Sequence, residues 1–312
     1  MRAAVFDRYG PPEVVGIEEV TDPVPSPKQV LVRVHAAAVN SGDARIRAAR
    51  FPKGFGFVAR VVFGLRRPRR RVLGVAVSGV VAAVGDRVTG FSVGDEVCGM
   101  TNGAHGTHAE LTTVRAEKLA VKPAGVSHVD AAAVLFGGST AQHFLAGRVG
   151  PGASVLVNGA SGAVGTSAVQ LAKRAGARVT GVCSADNAEL VTGLGADVVV
   201  DYRRTPLDSL QERYDVVLDT VGIPTELGRS LLAPGGVLLL VAADLRQTLR
   251  ARGDVVAGPA SEKAAAFATL LDLVSSGELR VVVDRTLPLE QIVEAHRLVD
   301  SGRKVGNVVV LP

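Results

Sequence analysis

From about Pro123 onward, apolar positions occur in short runs that alternate with amphipathic stretches. The runs "SVLVN", "RVTGVCS", "ADVVVDY", "YDVVLDTVG" and "GGVLLLVAA" have the length and β-branched content of buried strands, and "SVLVN" leads into "AVGTSAVQLAKRAG", which has helical spacing. Strands that alternate with helices predict a parallel sheet with right-handed crossovers. We therefore expect an α/β domain with a doubly wound parallel sheet over residues 123–261.

The first part of the chain has a different pattern. β-branched runs at 30–39, 72–85 and 109–114 are separated by turns rich in Pro and Gly, such as "YGPPE" and "DPVPSPK". This pattern predicts an antiparallel, barrel-like β domain over residues 1–122. The tail, which begins "VVVDRTLPLEQIVEAHRLVD", predicts a strand, an amphipathic helix and a strand, and we expect residues 262–312 to complete this first domain.

Composition narrows the class of protein. A chain of 312 residues with 47% apolar residues can bury a large core, and its two cysteines, Cys98 and Cys183, offer no disulfide framework. The N-terminal "MRAAVFDRYG" has no uninterrupted apolar region, and no run approaches the roughly 20 apolar residues that span a bilayer. The sequence therefore predicts a cytoplasmic protein with no membrane partner.

The formal net charge is +5, and much of it lies in "RRPRRR" at 66–71. This run is interpreted as a solvated loop, with an anion-attracting rim near a substrate entrance and a nucleic-acid contact as alternatives. Aromatic residues do not interleave with the arginines, which argues against nucleic acid as a partner.

The segment "NGASGAVG" at 158–165 carries three glycines between a predicted strand and a predicted helix. Gly159 allows a tight turn, Gly162 allows backbone to approach a pyrophosphate, and Gly165 permits close contact between helix and strand. The helix that begins near Ala163 then directs unpaired N–H groups at the phosphates. The alternative is a tight turn without a ligand. The predicted cofactor-binding residues in this segment are Asn158, Gly159, Ala160, Ser161, Gly162, Ala163, Val164 and Gly165.

The tip of the second strand indicates which dinucleotide binds. Folds that bind NAD place an acidic residue about 20 residues after the glycines, but this chain has Ser184 there. NADPH is therefore favoured, with Arg203 or Arg204 as the residue that contacts the 2′-phosphate. Asp186 has two interpretations: it caps the following helix, or it lies near the 2′-phosphate and leaves NADH open as a second cofactor.

These segments together resemble the medium-chain dehydrogenase/reductase superfamily, specifically its zinc-independent branch of NADPH:quinone oxidoreductase-like and enoyl-reductase-like proteins. The matching stretches include "YGPPEVV", "VLVRVHAAAVNSGDARIR", "FSVGDEVCG", "NGASGAVGTSAVQLAK" and "GRKVGNVVV". The resemblance implies a GroES-like catalytic domain, a Rossmann domain, an active site in the cleft between them, and a homodimer. Further residues assigned to cofactor binding are Asn187, Tyr202, Val221, Gly222 and Asn307.

Departures from zinc-dependent relatives predict that no metal is bound. The stretches that would carry zinc ligands read "VNSGD" and "LGVAVSG", and two cysteines cannot form a four-cysteine lobe. The segment 242–262 is shorter than is usual for these relatives, which leaves the substrate pocket and the oligomeric state open.

A reductase of this kind transfers hydride from nicotinamide C4 to a quinone or to the activated C=C bond of an α,β-unsaturated carbonyl substrate. The predicted catalytic residues are Asn40, Asp43 and Thr140, whose alternative roles are loop hydrogen bonding, a helix cap and a helix-start hydroxyl. Tyr9 is the one tyrosine left as a pocket candidate, and proton delivery by water is the simpler hypothesis.

The histidines His105 and His108 are interpreted as loop filling, with substrate contact or metal binding as alternatives. Ser161 lacks the surrounding glycine pattern of a hydrolase nucleophile. Two other classes of function stay open: a non-catalytic NADPH-binding protein that senses redox state or binds nucleic acid, and a structural partner in a larger pathway.

Overall fold

The structure is a computed structural model that describes residues 1–312, apart from the side chain at position 102. The strands are β1 (Arg2–Phe6), β2 (Val15–Glu19), β3 (Gln29–Val39), β4 (Ala76–Val84), β5 (Glu96–Met100), β6 (Leu111–Arg115), β7 (Leu119–Val121), β8 (Ser154–Asn158), β9 (Arg178–Cys183), β10 (Val198–Asp201), β11 (Tyr214–Asp219), β12 (Leu232–Leu240), β13 (Val255–Ala257), β14 (Val283–Pro288) and β15 (Asn307–Leu311). The α-helices are α1 (Ser41–Ala48), α2 (Gly56–Phe63), α3 (His128–Leu145), α4 (Ala163–Arg174), α5 (Ala188–Gly193), α6 (Thr225–Ser230), α7 (Leu245–Arg250), α8 (Ala264–Ser275) and α9 (Ile292–Asp300).

The chain divides into two compact units. The first comprises Met1–Phe51, Gly56–Phe136 and Glu262–Pro312, and the second comprises Pro52–Phe55 and Gly137–Ser261. The domain bounds derived from the sequence, with changes after residues 122 and 261, stay a proposal.

The second unit is built on a six-stranded sheet in the order β10-β9-β8-β11-β12-β13, in which every neighbouring pair is parallel. In order of the chain this is 3-2-1-4-5-6, the arrangement of a Rossmann fold. The central strand β8 is buried, since its Val155, Leu156 and Val157 have no exposed surface. Helix α4 buries Val164, Ala168 and Ala172 at intervals of one turn, which keeps one face on the sheet.

The first unit is built on a sheet of seven strands, six of which follow the order β14-β15-β3-β4-β5-β7, with β6 paired to β3. Strand β3 alternates buried Val30, Val32 and Val34 with more exposed positions, which is the period of a strand that covers a core on one face. Strand β15 pairs antiparallel with β3, so the end of the chain joins the same sheet as the N-terminal strands. The mixed α/β class with a parallel, Rossmann-like sheet is confirmed by this topology.

Two local features differ from the sequence-based expectation. Strand β4 begins at Ala76 rather than at residue 72, because Gly74 has a φ of +90° and turns the chain before the sheet. The sequence pattern does not predict helix α2, since its apolar side chains do not follow a buried stripe: Phe57 and Val62 are exposed. No described helix has both the length and the apolar character that a bilayer span requires.

The arginine run at 66–71 follows α2 and lies on the surface. Arg66, Arg67, Arg69 and Arg70 are exposed. Arg71 forms ion pairs with Asp7 and Glu18. These positions agree with the interpretation of the run as a solvated loop.

Candidate active site

The order of the parallel sheet reverses between β8 and β11, whose carboxyl ends lie side by side. Asn158 ends β8 and Asp219 ends β11, and the two are register partners. The Asn158 side-chain amide donates to Asp219 Oδ1 over 2.8 Å. Ligands of open α/β sheets bind at the carboxyl ends of the strands where the order reverses. This edge is therefore the candidate nucleotide site of the second unit.

The three glycines of the loop after β8 differ in what a side chain would meet. Gly159 has a φ of +83°, and a Cβ there would lie 2.3 Å from Thr220 Oγ1. At Gly165 a Cβ would lie 2.1 Å from the Gly159 carbonyl oxygen, so the helix packs directly on the loop. At Gly162 the nearest atom would be the Gly159 carbonyl oxygen at 3.4 Å, an ordinary contact. Protein packing thus accounts for Gly159 and Gly165 but leaves open space over Gly162.

Helix α4 begins directly after this loop. Gly162 is its N-cap, with φ −81° and ψ 176°, and no side chain caps the helix. The first-turn N–H groups of a helix have no acceptor within the helix, so they are available to an anion. The side-chain amide of Asn187, after the next strand, donates to Ser161 Oγ over 3.1 Å and holds the loop from that side.

Asp219 is a residue of this site that the sequence analysis missed. It has no exposed surface, and its carboxylate accepts the backbone N–H groups of Val221, Gly222 and Ile223 at 2.8–3.2 Å. The loop after β11 is thereby fixed in place, with the Val221 side chain 65% exposed. The one sequence signal is an Asp at the end of an apolar strand, directly before "TVG".

The tips of β9 and β10 form the end of the site where the sequence places a 2′-phosphate. Ser184 follows β9 and is buried. Arg203 donates to Asp186 Oδ2 over 3.0 Å, and its guanidinium lies 5.9 Å from the centre of the Tyr202 ring. The Tyr202 hydroxyl, and next the Asp186 carboxylate, raise the pKa of Arg203. Arg204 lies one residue further along the same turn, with its N–H donating to the Asp201 carbonyl.

The prediction that Asp186 caps a helix is wrong. Residues Ala185–Asn187 form a short 3₁₀ turn without a side-chain cap, and α5 begins after Asn187, which also gives no side-chain cap. The Asp186 carboxylate instead pairs with Arg203, because the parallel pairing of β9 and β10 brings their tips together.

In the first unit, Asn40 and Asp43 form a capping box at the start of α1. Asn40 Oδ1 accepts the N–H groups of Gly42 and Asp43, and Asp43 Oδ2 accepts the N–H of Asn40. Asp43 Oδ1 also accepts the N–H of Gly74 over 3.0 Å. Both carboxylate oxygens of Asp43 therefore hold backbone, and the capping role that the sequence offered as the alternative is present. Asn40 Nδ2 is buried and has no hydrogen-bond partner among the described residues.

Three other predicted residues have the following surroundings. Thr140 is buried in α3, one turn after Gly137, where a Cβ would lie 2.3 Å from the Ala163 carbonyl oxygen. Asn307 belongs to the first unit, and its side-chain amide donates to the Val282 carbonyl over 3.0 Å. The Tyr9 hydroxyl donates to the Gly64 carbonyl over 2.7 Å, and burial raises the pKa of Tyr9.

No three His, Cys, Asp or Glu side chains group as metal ligands within the part of the chain that the structure describes. Burial raises the pKa of Cys98 to about 12 and that of Cys183 to about 11, so neither thiol readily becomes the thiolate that binds zinc. His128 hydrogen bonds to Ser78 Oγ at 2.8 Å and lies 3.2 Å from Glu96. Ser78 is fully buried, so this trio is a structural network.

A GroES-like β unit and a Rossmann unit with an uncapped, glycine-rich helix start define a nicotinamide-dependent dehydrogenase or reductase. Family profiles agree: residues 26–145 match "Alcohol dehydrogenase GroES-like domain", and residues 194–310 match "Zinc-binding dehydrogenase". The chain belongs to the medium-chain dehydrogenase/reductase superfamily, in its quinone oxidoreductase-like and enoyl-reductase-like branch, and is an oxidoreductase of that type.

Individual relatives cover the whole chain. An NADPH-dependent alkenal/one oxidoreductase of Arabidopsis thaliana, described as chloroplastic, is 30% identical over 100% of this chain and 80% of its own length. The quinone oxidoreductase from Coxiella burnetii superposes with a TM-score of 0.89 at 29% identity, covering 100% of this chain and 99% of that one. The Escherichia coli quinone oxidoreductase complexed with NADPH has a TM-score of 0.84 at 25% identity, and both chains are covered completely.

Proposed function

We propose that this protein transfers hydride from the nicotinamide C4 of NADPH to a quinone or to the activated C=C bond of an enone or enoyl substrate, without zinc. The observation that carries the proposal is the space over Gly162. A glycine that no protein contact requires stands at the uncapped start of α4, beside the strands where the sheet order reverses. A pyrophosphate needs that combination of open backbone and unpaired N–H groups.

The residues of the second unit fit the dinucleotide in separate parts. The first turn of α4, from Ala163 to Gly165, would hold the pyrophosphate. Asp219 fixes the loop by accepting the backbone N–H groups of Val221 and Gly222, and this loop would give the dinucleotide an apolar surface at the exposed Val221. NADPH, when bound, supplies the hydride, and the chain has to orient it and exclude water.

The preference for NADPH rests on the tips of β9 and β10. Ser184 places no charge beside the ribose, so a 2′-phosphate meets no repulsion from that position. Arg203 is held in place by Asp186 and Tyr202, and Arg204 follows it directly. The ion pair with Arg203 reduces the repulsion between the Asp186 carboxylate and a 2′-phosphate. Asp186 also competes with that phosphate for Arg203. We propose NADPH as the preferred cofactor and NADH as a weaker one.

The first unit supplies the polar surround of the substrate oxygen. Asp43 fixes Asn40 by the capping box, and the Asn40 amide keeps one N–H₂ group that is not committed to the protein. A donor held in this way can stabilise the negative charge that develops on a carbonyl oxygen when hydride arrives. Asp43 acts by positioning, since backbone N–H groups occupy both its oxygens. Thr140 remains a candidate on the nicotinamide side.

The zinc-free part of the proposal rests on donor chemistry. In this superfamily branch the stretches around Asn40 and Val75 stand where zinc-dependent relatives carry ligands, and neither amide nor alkyl side chains bind zinc well. We also propose, from the resemblance to the family alone, that the chain forms a homodimer. From composition and sequence pattern we propose that it acts in the cytoplasm on a small-molecule substrate, with no nucleic-acid or membrane partner and with domain bounds at residues 122 and 261.

The test is NADPH oxidation by the purified protein with 2-methyl-1,4-naphthoquinone and with 2-cyclohexen-1-one in parallel. Products are identified by mass spectrometry, and NADH replaces NADPH in matched reactions. We expect turnover of at least one substrate, with a higher kcat/KM for NADPH than for NADH. NADPH binding without turnover of either class would favour the non-catalytic alternative, and absence of NADPH binding would overturn the assignment of the site.

A further inference from the structure

Several buried polar atoms of the first unit lack hydrogen-bond partners among the described residues. They include both ring nitrogens of His105, Thr107 Oγ1 and Asn40 Nδ2, which lie on segments near Gly74, and further atoms on Arg47, His108, Glu262 and His296. His105 is only 7% exposed and Thr107 is fully buried. Buried polar groups are nearly always hydrogen-bonded, so unpartnered donors gathered in one place point to a ligand that they serve.

Hydrogen bonds and close contacts connect these atoms through Gly74. Asp43, which holds Asn40, accepts the N–H of Gly74 over 3.0 Å. The Gly74 carbonyl accepts the N–H of Thr107, and a Cβ on Gly74 would lie 2.2 Å from Thr107 Oγ1. The loop that carries His105 is thus fastened to the same glycine as the capping box of Asn40.

The backbone at His105 is strained, which loop filling does not require. Its φ is +55°, a left-handed conformation that residues other than glycine adopt at a cost of order 1 kcal/mol. Ala49 and His105 are the non-glycine residues with positive φ in the described chain. Residues held in such conformations persist where the surrounding structure fixes them, and they cluster at active and binding sites.

Two aromatic rings, those of Phe63 and Phe51, lie beside His105. The Phe63 ring meets the His105 ring edge to face with centroids 5.8 Å apart. Phe63 in turn stacks on Phe51 at 5.8 Å with an interplanar angle of 5°. A flat apolar face beside unpartnered donors matches the shape and polarity of a ring that carries a carbonyl oxygen.

We propose that His105 and Asn40 form a two-donor site for the carbonyl oxygen of a planar, conjugated substrate, whose ring packs on Phe63. The inference rests on the proposed function and assigns one of its substrate-binding residues. His105 donates an N–H to the oxygen, and this bond strengthens as negative charge develops there. Hydride adds to the substrate to give the anion, and solvent water then supplies the proton that completes the reduction.

The charges around His105 suit this role. Burial lowers the pKa of His105, and His108 and Arg70 lower it further, whereas the Asp43 carboxylate opposes this shift. The imidazole is therefore neutral at pH 7 and carries one N–H. A neutral imidazole donates a hydrogen bond without repelling the positively charged nicotinamide that hydride transfer produces.

Two substitutions at residue 105 distinguish the effect of losing the N–H donor from the effect of changing the backbone conformation. In His105→Gly the left-handed backbone is retained and the donor is lost. In His105→Asn a donor is kept on a residue that tolerates positive φ. The exposed His143→Asn serves as a matched control elsewhere. For each variant we would measure the Tm, the Kd of NADPH and the kcat/KM with 2-methyl-1,4-naphthoquinone. In the absence of NADPH we would also measure the Kd of that quinone and the Kd of 2-methylnaphthalene.

We expect His105→Gly to weaken quinone binding about 3- to 10-fold, the range of one neutral hydrogen bond. Its kcat/KM should fall further, by about 30-fold or more, because an oxyanion donor acts chiefly in the transition state. His105→Asn should recover part of both losses. NADPH affinity and binding of 2-methylnaphthalene, which has the ring but no oxygen, should stay unchanged in all variants.

Other outcomes overturn the inference in distinguishable ways. If wild type reduces the quinone and His105→Gly does so equally well, the donor site is wrong and the proposed function stands. If 2-methylnaphthalene loses as much affinity as the quinone, His105 only shapes the loop. If wild type binds NADPH but neither binds nor reduces quinone or enone, both the function and the site are wrong.

Discussion

The substitution Gly162→Ala tests the nucleotide site with little disturbance of the fold. Gly162 has a φ of −81°, which alanine adopts freely, and the added methyl group would meet only the Gly159 carbonyl oxygen, at 3.4 Å. Replacing glycine gains about 0.4–1 kcal/mol by restricting the unfolded chain. Alanine is a poorer N-cap than glycine by a comparable amount, of order 0.5–1 kcal/mol. The two effects offset each other, so Tm should change by less than about 4 °C.

NADPH affinity should respond strongly to the same change. The methyl group would project into the space from which a pyrophosphate approaches the first turn of α4. Loss of one hydrogen bond to a charged oxygen corresponds to about 1.5–3 kcal/mol, so Kd should rise about 10- to 100-fold. The assay is titration of NADPH by calorimetry or by quenching of nicotinamide fluorescence, with Tm measured on the same samples with and without cofactor.

Two other glycines of the second unit provide matched controls. Gly193 lies in α5, and a methyl group added there would have no other atom within 4 Å, so Gly193→Ala should keep NADPH affinity and raise stability slightly. In Gly165→Ala the methyl group would lie 2.1 Å from the Gly159 carbonyl oxygen, so that variant should lose stability in the absence of cofactor. An NADPH Kd for Gly162→Ala equal to that of wild type, in a folded protein, would refute the pyrophosphate position.

The remaining predictions concern cofactor choice, the loop after β11, a lysine and zinc. Arg203→Ala and Arg204→Ala are each compared with wild type for the Kd of NADPH and of NADH. The variant that lacks the arginine in contact with the 2′-phosphate should lose NADPH affinity at least several-fold more than NADH affinity. Equal losses for both cofactors in both variants would show that neither arginine contacts the 2′-phosphate. Asp219→Asn removes acceptors from a fully buried loop anchor and should lower stability by about 2–4 kcal/mol, measured by denaturant unfolding, whereas the exposed Asp208→Asn should change little. Burial lowers the pKa of Lys304 to about 8, so as the pH rises the native state loses this proton before the unfolded state does. The free energy of unfolding should therefore rise from pH 8 to pH 10 in wild type relative to Lys304→Met. A difference between the two proteins that stays constant over this pH range would contradict that pKa. Metal analysis of the purified protein should find less than about 0.1 equivalent of zinc, and a full equivalent that chelators remove together with activity would reverse the zinc-free proposal.

Local sequence predicted most residues of the candidate nucleotide site. A glycine loop, the strand before it and the helix after it are neighbours in the chain, so their geometry follows from backbone rules that a pattern records. The sequence also marked Ser184 as the strand tip without an acidic side chain. It misjudged Asp186, because the ion pair with Arg203 joins residues on two strands and depends on the register between β9 and β10.

The missed residues share a physical reason. Asp219 holds three successive N–H groups and the Asn158 amide, yet alone it is an acidic residue at a strand end. His105 is distinguished by its burial, its positive φ and its unpartnered ring nitrogens, and none of these is visible in the sequence. Helix α2 was not predicted, because its apolar Phe57 and Val62 are exposed and so form no buried face.

The sequence by itself determined the class of fold, the glycine-rich turn between β8 and α4, and the side chains at Asn40 and Asp43 that can form a capping box. These features depend on periodicity and on contacts within a few residues. Only the tertiary structure showed that Asp186 pairs with Arg203. It also showed that a side chain would clash at Gly159 and Gly165 but not at Gly162, and that the loop of His105 is hydrogen-bonded through Gly74 to the capping box of Asn40. Those properties arise from distances between segments far apart in the chain, which only strand register and close packing set.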